Sequence, residues 1–126
     1  MLGDAQVVAT IAVKDLEAAK HFYGDTLGLE PVQGSDGEGG VVYRSGNSTV
    51  LVYESQYAGT NQATAATWVV GEDLDGVVRV LKQRGVSFEH YDLPETEREG
   101  DVHVAGDMRL AWFKDPDGNI LGIANQ

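Results

Sequence analysis

The sequence predicts an α+β protein built from two βαβββ modules, and three observations predict it. A strand-then-helix pattern starting at Val7, VVATIAVKDLEAAKHFYGDTLGLEPV, recurs from Ala66 as ATWVVGEDLDGVVRVLKQRGVSFEHY. Each copy is followed by a hairpin signal, GVVYRSGNSTVLVYES in the first and MRLAWFKDPDGNILGIAN in the second. The chain has 126 residues, 42% of them hydrophobic, enough for one compact core and too little for two ordinary domains.

The first strand alternates. Val7, Ala9, Ile11 and Val13 fall on one side, Val8, Thr10 and Ala12 on the other. Asp15 sits where an N-cap belongs, because its carboxylate can accept from the free amides of the first helical turn. Leu16, Ala19, Phe22 and Tyr23 recur at helical spacing as a buried stripe, and Gly28 supplies a left-handed stop. A short strand is expected near Glu30 to Gln33, then a hairpin turning at Gly46-Asn47. In the second module Asp73 is the expected cap and Leu74, Val77, Val78 and Leu81 the stripe. Lys82 and Arg84 lie in the last turn, where the helix dipole favours positive charge, and Gly85 is the stop. A short strand follows near Phe88 to Asp92. The last hairpin turns through Asp115-Pro116-Asp117-Gly118, with Pro presetting one dihedral and Gly tolerating the positive φ that follows. This gives one domain over residues 1–126, with module one at about 5–55, module two at about 65–126 and a polar joint from Ser55 to Thr64.

Two stretches read as loops, GSDGEGG from Gly34 to Gly40 and DLPETEREGD from Asp92 to Asp101. The first is not a phosphate cradle. Asp36 and Glu38 repel phosphate, and no Lys-Ser/Thr pair follows, so it reads as a mobile hairpin loop.

Charge and composition exclude several classes. A net charge of −11 disfavours nucleic acid and anionic membranes as partners and permits cationic ligands. The absence of cysteine removes disulfide frameworks, thiolate zinc sites and cysteine nucleophiles together. No basic-then-apolar leader opens the chain, and no stretch approaches the roughly 20 apolar residues of a membrane helix, so a cytoplasmic protein is expected.

VKDLEAAKHFYGDTLGLEP and AWFKDPDGNILGIAN resemble the vicinal oxygen chelate superfamily, which includes glyoxalase I, extradiol dioxygenases, and fosfomycin and bleomycin resistance proteins. The resemblance covers nearly the whole chain. It implies paired βαβββ modules whose mixed sheet curls around a cavity, helices on the outer face, and a homodimer. In catalytic members it also implies a divalent metal held by His or Glu from the first and last strand of each module, acting as a Lewis acid.

Carried onto this sequence, those metal positions fall at Val8, with Thr10 as its cavity-side neighbour, at Glu54 (or Val52 if the alignment slips by two), between Ala66 and Trp68, where a one-residue bulge blurs the register, and at Gly122. At most one carboxylate survives, whereas a transition metal needs several N or O donors at about 2.0–2.2 Å. The expected metal set and cofactor are therefore none, and Gly122 leaves space in the cavity wall. His21, four residues after Glu17, reads as a surface pair. His90 and His103 flank Glu95, Glu97 and Asp101, which reads as a solvated lid with a relocated cation site as the alternative. None of the serines sits in a nucleophile elbow.

The expected ligand contacts are Thr10, Arg44, Tyr53, Glu54, Trp68 and Trp112, with catalytic residues unassigned. Alternation forbids Tyr43 and Arg44 from both pointing inward. Glu54 is equally well a strand-end surface charge, and each tryptophan equally well a core filler. The sequence leans to a metal-independent protein that sequesters a cationic or aromatic small molecule. The alternative is a metal-dependent lyase, isomerase or dioxygenase with an unrecognised site.

Overall fold

A computed structural model describes residues 1–37 and 39–126. Glu38 lies outside them, and with it the part of the glycine-loop reading that rests on its charge. The fold is α+β, with two mixed sheets and no closed barrel, in two compact units of residues 1–60 and 61–126.

The first unit holds β1 (Ala9–Val13), α1 (Leu16–Lys20), β2 (Glu30–Pro31), β3 (Gly40–Ser45) and β4 (Ser48–Glu54). Its strand order is β1-β4-β3-β2, with β1 parallel to β4 and the other pairs antiparallel. The Asp15 carboxylate caps α1 by accepting from the Ala18 amide at 3.1 Å. After Lys20 the helix widens into a π-helical turn, His21–Thr26. Gly28, at φ 77°, turns the chain back toward the sheet. Leu16, Ala19 and Tyr23 are buried on the helix, with Ile11, Val13, Val41, Tyr43, Val50 and Val52 on the sheet face beneath. That face supplies the core of the unit, and each such side chain contributes roughly 1.5–3 kcal/mol by leaving water.

The second unit holds β5 (Thr64–Val69), α2 (Leu74–Gln83), β6 (Phe88–Glu89), β7 (Glu97–Glu99), β8 (Val102–Ala105), β9 (Met108–Lys114) and β10 (Ile120–Ala124). The order is β5-β10-β9-β8-β7, with β6 also pairing β9. Again the first strand runs parallel to the last. Leu74, Val78 and Leu81 of α2 are buried, as are Ala111, Phe113, Leu121 and Ile123 of the sheet. Arg109, on the same face as Ala111 and Phe113 by alternation, reaches Asp75 of α2 at 2.9 Å, which marks that face as the helix side.

Three local readings change. Asp73 makes no side-chain cap bond, because a 3₁₀ turn over Gly71–Asp73 leads into the helix and the carboxylate leans over Gly76 instead. Part of the expected loop from Asp92 to Asp101 is strand β7, paired with β8. All three of its side chains are exposed, so no apolar alternation announced it. His21 pairs with Asp25, Nδ1 to Oδ2 at 2.9 Å, while Glu17 faces Lys20.

Candidate functional site

Each sheet has a helix side and an open side, and strand pairing decides which residues share the open one. In the first sheet Thr10 pairs with Leu51, Ala12 with Tyr53, Val42 with Leu51 and Arg44 with Thr49. Paired residues point the same way, so Thr10, Val42, Arg44, Leu51 and Tyr53 stand on one face, opposite Ile11, Val13 and Val52. Three expected ligand contacts, Thr10, Arg44 and Tyr53, are therefore brought to one surface. Glu54 is not: it pairs with Val13 and belongs to the helix-side row, exposed at the strand end.

In the second sheet the bulge exists. Ile120 pairs with Thr64 but Leu121 with Ala66, so Ala65 is the extra residue and the parity of β5 flips there. Thr64, Thr67 and Val69 consequently share the open face with Gly122 and Ala124. Trp68 pairs with Ile123 on the helix side. Trp112 pairs with Gly122 and stands on the open face, so the two tryptophans are on opposite sides of the sheet.

Trp112 organises that face. Its Nε1–H donates to the Thr64 hydroxyl at 3.2 Å. A Cβ added at Gly122 would lie 3.3 Å from Trp112 Nε1 and 3.3 Å from Thr67 Oγ1, so the space left by Gly122 is taken by the indole rather than left open. Two residues that the sequence reading did not place there complete the cluster. His103 stacks edge-on against Trp112 with ring centroids 4.8 Å apart, and Tyr91 does so at 5.4 Å. His103 is 1% exposed, far from a solvated lid. Its Nε2 accepts the Tyr91 backbone N–H at 2.9 Å, which puts the ring hydrogen on Nδ1. That Nδ1 and the Tyr91 hydroxyl are both buried without a hydrogen-bond partner among the described residues. Burial, and then the Glu89 charge, push the Tyr91 hydroxyl above its ordinary pKa of 10.0, with Lys114 acting the other way. The signal for His103 was its place in VHVA, where valines on both sides read as strand.

His90 goes elsewhere. Its Nε2 meets Asp101 at 2.8 Å, and Lys82 meets the other Asp101 oxygen at 2.7 Å. These hydrogen bonds, from Lys82 first and His90 second, hold the Asp101 carboxyl below its ordinary 3.8.

The glyoxalase/bleomycin resistance protein/dioxygenase superfamily model matches residues 5–123. The chain belongs to this superfamily. No curated protein sequence matches at a significant level. Among solved structures, a glyoxalase family protein of Enterococcus faecalis has 18% identity and a TM-score of 0.73, covering 98% of this chain and 99% of that one. An integron cassette protein from the Halifax Harbour sewage outfall metagenome has 19% identity and a TM-score of 0.72, with the same coverage. The fosfomycin resistance protein FosX of Listeria monocytogenes has 16% identity and a TM-score of 0.68, covering 98% and 91%. At such identities the likeness establishes the fold.

A superfamily metal does not fit these donors. Among the described residues no group of three or more His, Asp or Glu is placed to hold one. The first-to-last strand pairs on the open faces are Thr10 with Leu51, Ala12 with Tyr53, Thr64 with Ile120, Thr67 with Gly122 and Val69 with Ala124, whose side chains offer hydroxyls at most.

Proposed function

We propose that this superfamily member binds a small aromatic or cationic organic molecule without a resident divalent metal or other cofactor, and sequesters it rather than transforming it. The observation that carries the reading is the Trp112–Tyr91–His103 cluster. It offers aromatic surface together with two buried polar atoms, His103 Nδ1 and Tyr91 Oη, that have no partner among the described residues. An unsatisfied buried polar group costs about 1–3 kcal/mol, so a local shift that brings either atom to a ligand or a water recovers that energy. Thr10, Arg44 and Tyr53 are proposed, separately, as a ligand-contact surface on the open face of the first sheet. The net charge of −11 supports attraction of cations and opposes nucleic acid and anionic membranes as partners. No helix among the described residues is long and apolar enough to cross a membrane. A homodimer in the cytoplasm is the proposed state.

The test combines a thermal-shift screen of flat aromatic compounds with elemental analysis of protein purified without chelators. A true ligand at 100 times its Kd stabilises by about 2.7 kcal/mol, and Trp112→Ala should abolish that gain. Affinity for a cationic ligand should fall as salt rises. Stoichiometric nickel, zinc, iron or manganese, with a reaction lost on chelation, would overturn the binder in favour of a lyase or dioxygenase of the glyoxalase type.

A further inference from the structure

The helix side of the first unit carries a concavity, built from different residues than the open face. A cleft of about 450 Å³ lies where the π-helical turn meets β2 and β3. That volume is within the range of small-molecule sites. Leu29, Pro31 and Val41 form its apolar wall. Its floor is Tyr43, a side chain only 2% exposed. The Tyr43 hydroxyl has no hydrogen-bond partner among the described residues. It lies beside Gly24, where a Cβ would lie 4.0 Å from the oxygen and 3.9 Å from Cε1. π-helical turns recur at functional positions, and this one carries Gly24 over the ring.

The rim is acidic. Glu17, Asp25 and Asp36 face Lys20 and His21. Lys20 bridges Asp36 at 3.0 Å and Glu17 at 3.5 Å, which leaves three carboxylates against one permanent cation. Burial raises the Tyr43 hydroxyl above its ordinary pKa of 10.0; among the charges, Lys20 comes first and lowers it, while Asp36 and then Asp25 raise it.

We propose that this cleft binds a small organic ammonium ion. Its N–H groups donate to the Tyr43 hydroxyl oxygen and face the Asp25 and Asp36 carboxylates, and its hydrocarbon part rests on Leu29, Pro31 and Val41. This site is independent of the Trp112 cluster and stands or falls separately.

The experiment is amide-resolved NMR of the full chain at fixed ionic strength, titrated with benzylammonium chloride, with benzyl alcohol as the neutral counterpart. Saturable shifts at Gly24, Asp25 and Tyr43 are expected for the ammonium, at least ten-fold tighter than for the alcohol. Tyr43→Phe keeps the ring and should weaken binding about five-fold, the worth of one hydrogen bond. Asp25→Asn, on a side chain 74% exposed, leaves the core intact and should also weaken it. Equal binding of the alcohol, non-saturating shifts spread over the acidic surface, or a folded Tyr43→Phe variant of unchanged affinity would each overturn the proposal. Preference for N-acetyl-lysine methylamide over benzylammonium would assign the cleft to a lysine of a protein segment and overturn the free-amine reading.

Discussion

The first and second units share a strand order and differ in what stands on the open face. In both, the opening strand runs parallel to the closing one and a helix covers the other side. In the first unit the open row is Thr10 beside Leu51, with an exposed Arg44 and a 37% exposed Tyr53. In the second it is Thr67 beside a buried Gly122, roofed by Trp112 and flanked by Tyr91 and His103. The β7–β8 hairpin, which the first unit lacks among its described residues, is what delivers His103. The helix side buries an apolar stripe in both units, whereas the two open faces carry different side chains.

The largest expected effect tests this contrast directly. Gly122→Glu puts back the superfamily carboxylate against Trp112 and should cost roughly 4 kcal/mol in urea unfolding, because the charge is buried without a partner. Leu51→Glu, in the corresponding row of the first sheet, should cost about half as much, since that face is open to water. Equal losses would mean that the two open faces do not differ as argued.

The hairpin turns give the next contrast. Asp115 is 5% exposed and its Oδ1 accepts the Asp117 and Asn119 amides, both at 2.9 Å, while Oδ2 accepts Asn119 Nδ2 at 2.8 Å. Asp115→Ala should therefore lose about 3 kcal/mol. Asn47→Ala, in the exposed turn of the first hairpin, should lose under about 0.5 kcal/mol in the same assay.

Asp101 links β8 to α2 through Lys82 and should matter less, because Lys82 and His90 are 56% and 44% exposed and solvent screens the pair. Asp101→Asn should cost roughly 1 kcal/mol at pH 7. The carboxyl is held below its ordinary 3.8, so its contribution is complete above that pH. It is lost as pH falls from 3.8 through the folded value, and the stabilities of wild type and variant should converge there.

The smallest effect concerns the two caps. Ala18 and Gly76 occupy the same place, three residues after Asp15 and Asp73. Gly→Ala inside a helix usually gains up to about 1 kcal/mol. At Gly76 the new Cβ would lie 2.5 Å from Asp73 Oδ1, so thermal unfolding should show a net change near zero. A full gain would show that the Asp73 carboxylate moves aside freely.

Local chemistry made much of the fold legible in advance. The Leu16–Ala19–Tyr23 and Leu74–Val78–Leu81 stripes, the Asp15 cap, the left-handed Gly28 and Gly85 and the Asp115–Gly118 turn each follow from residues a few positions apart, whereas Phe22 and Val77, expected in the same stripes, are only half-buried. The sides taken by Glu54 and Trp68 were not legible in this way, because strand parity is set by pairing with a distant segment, and one extra residue, Ala65, turns every later side chain over. The surroundings of His103 and Tyr43 likewise depend on what packs against them: Trp112 and Tyr91 in one unit, Gly24 on a π-helical turn in the other.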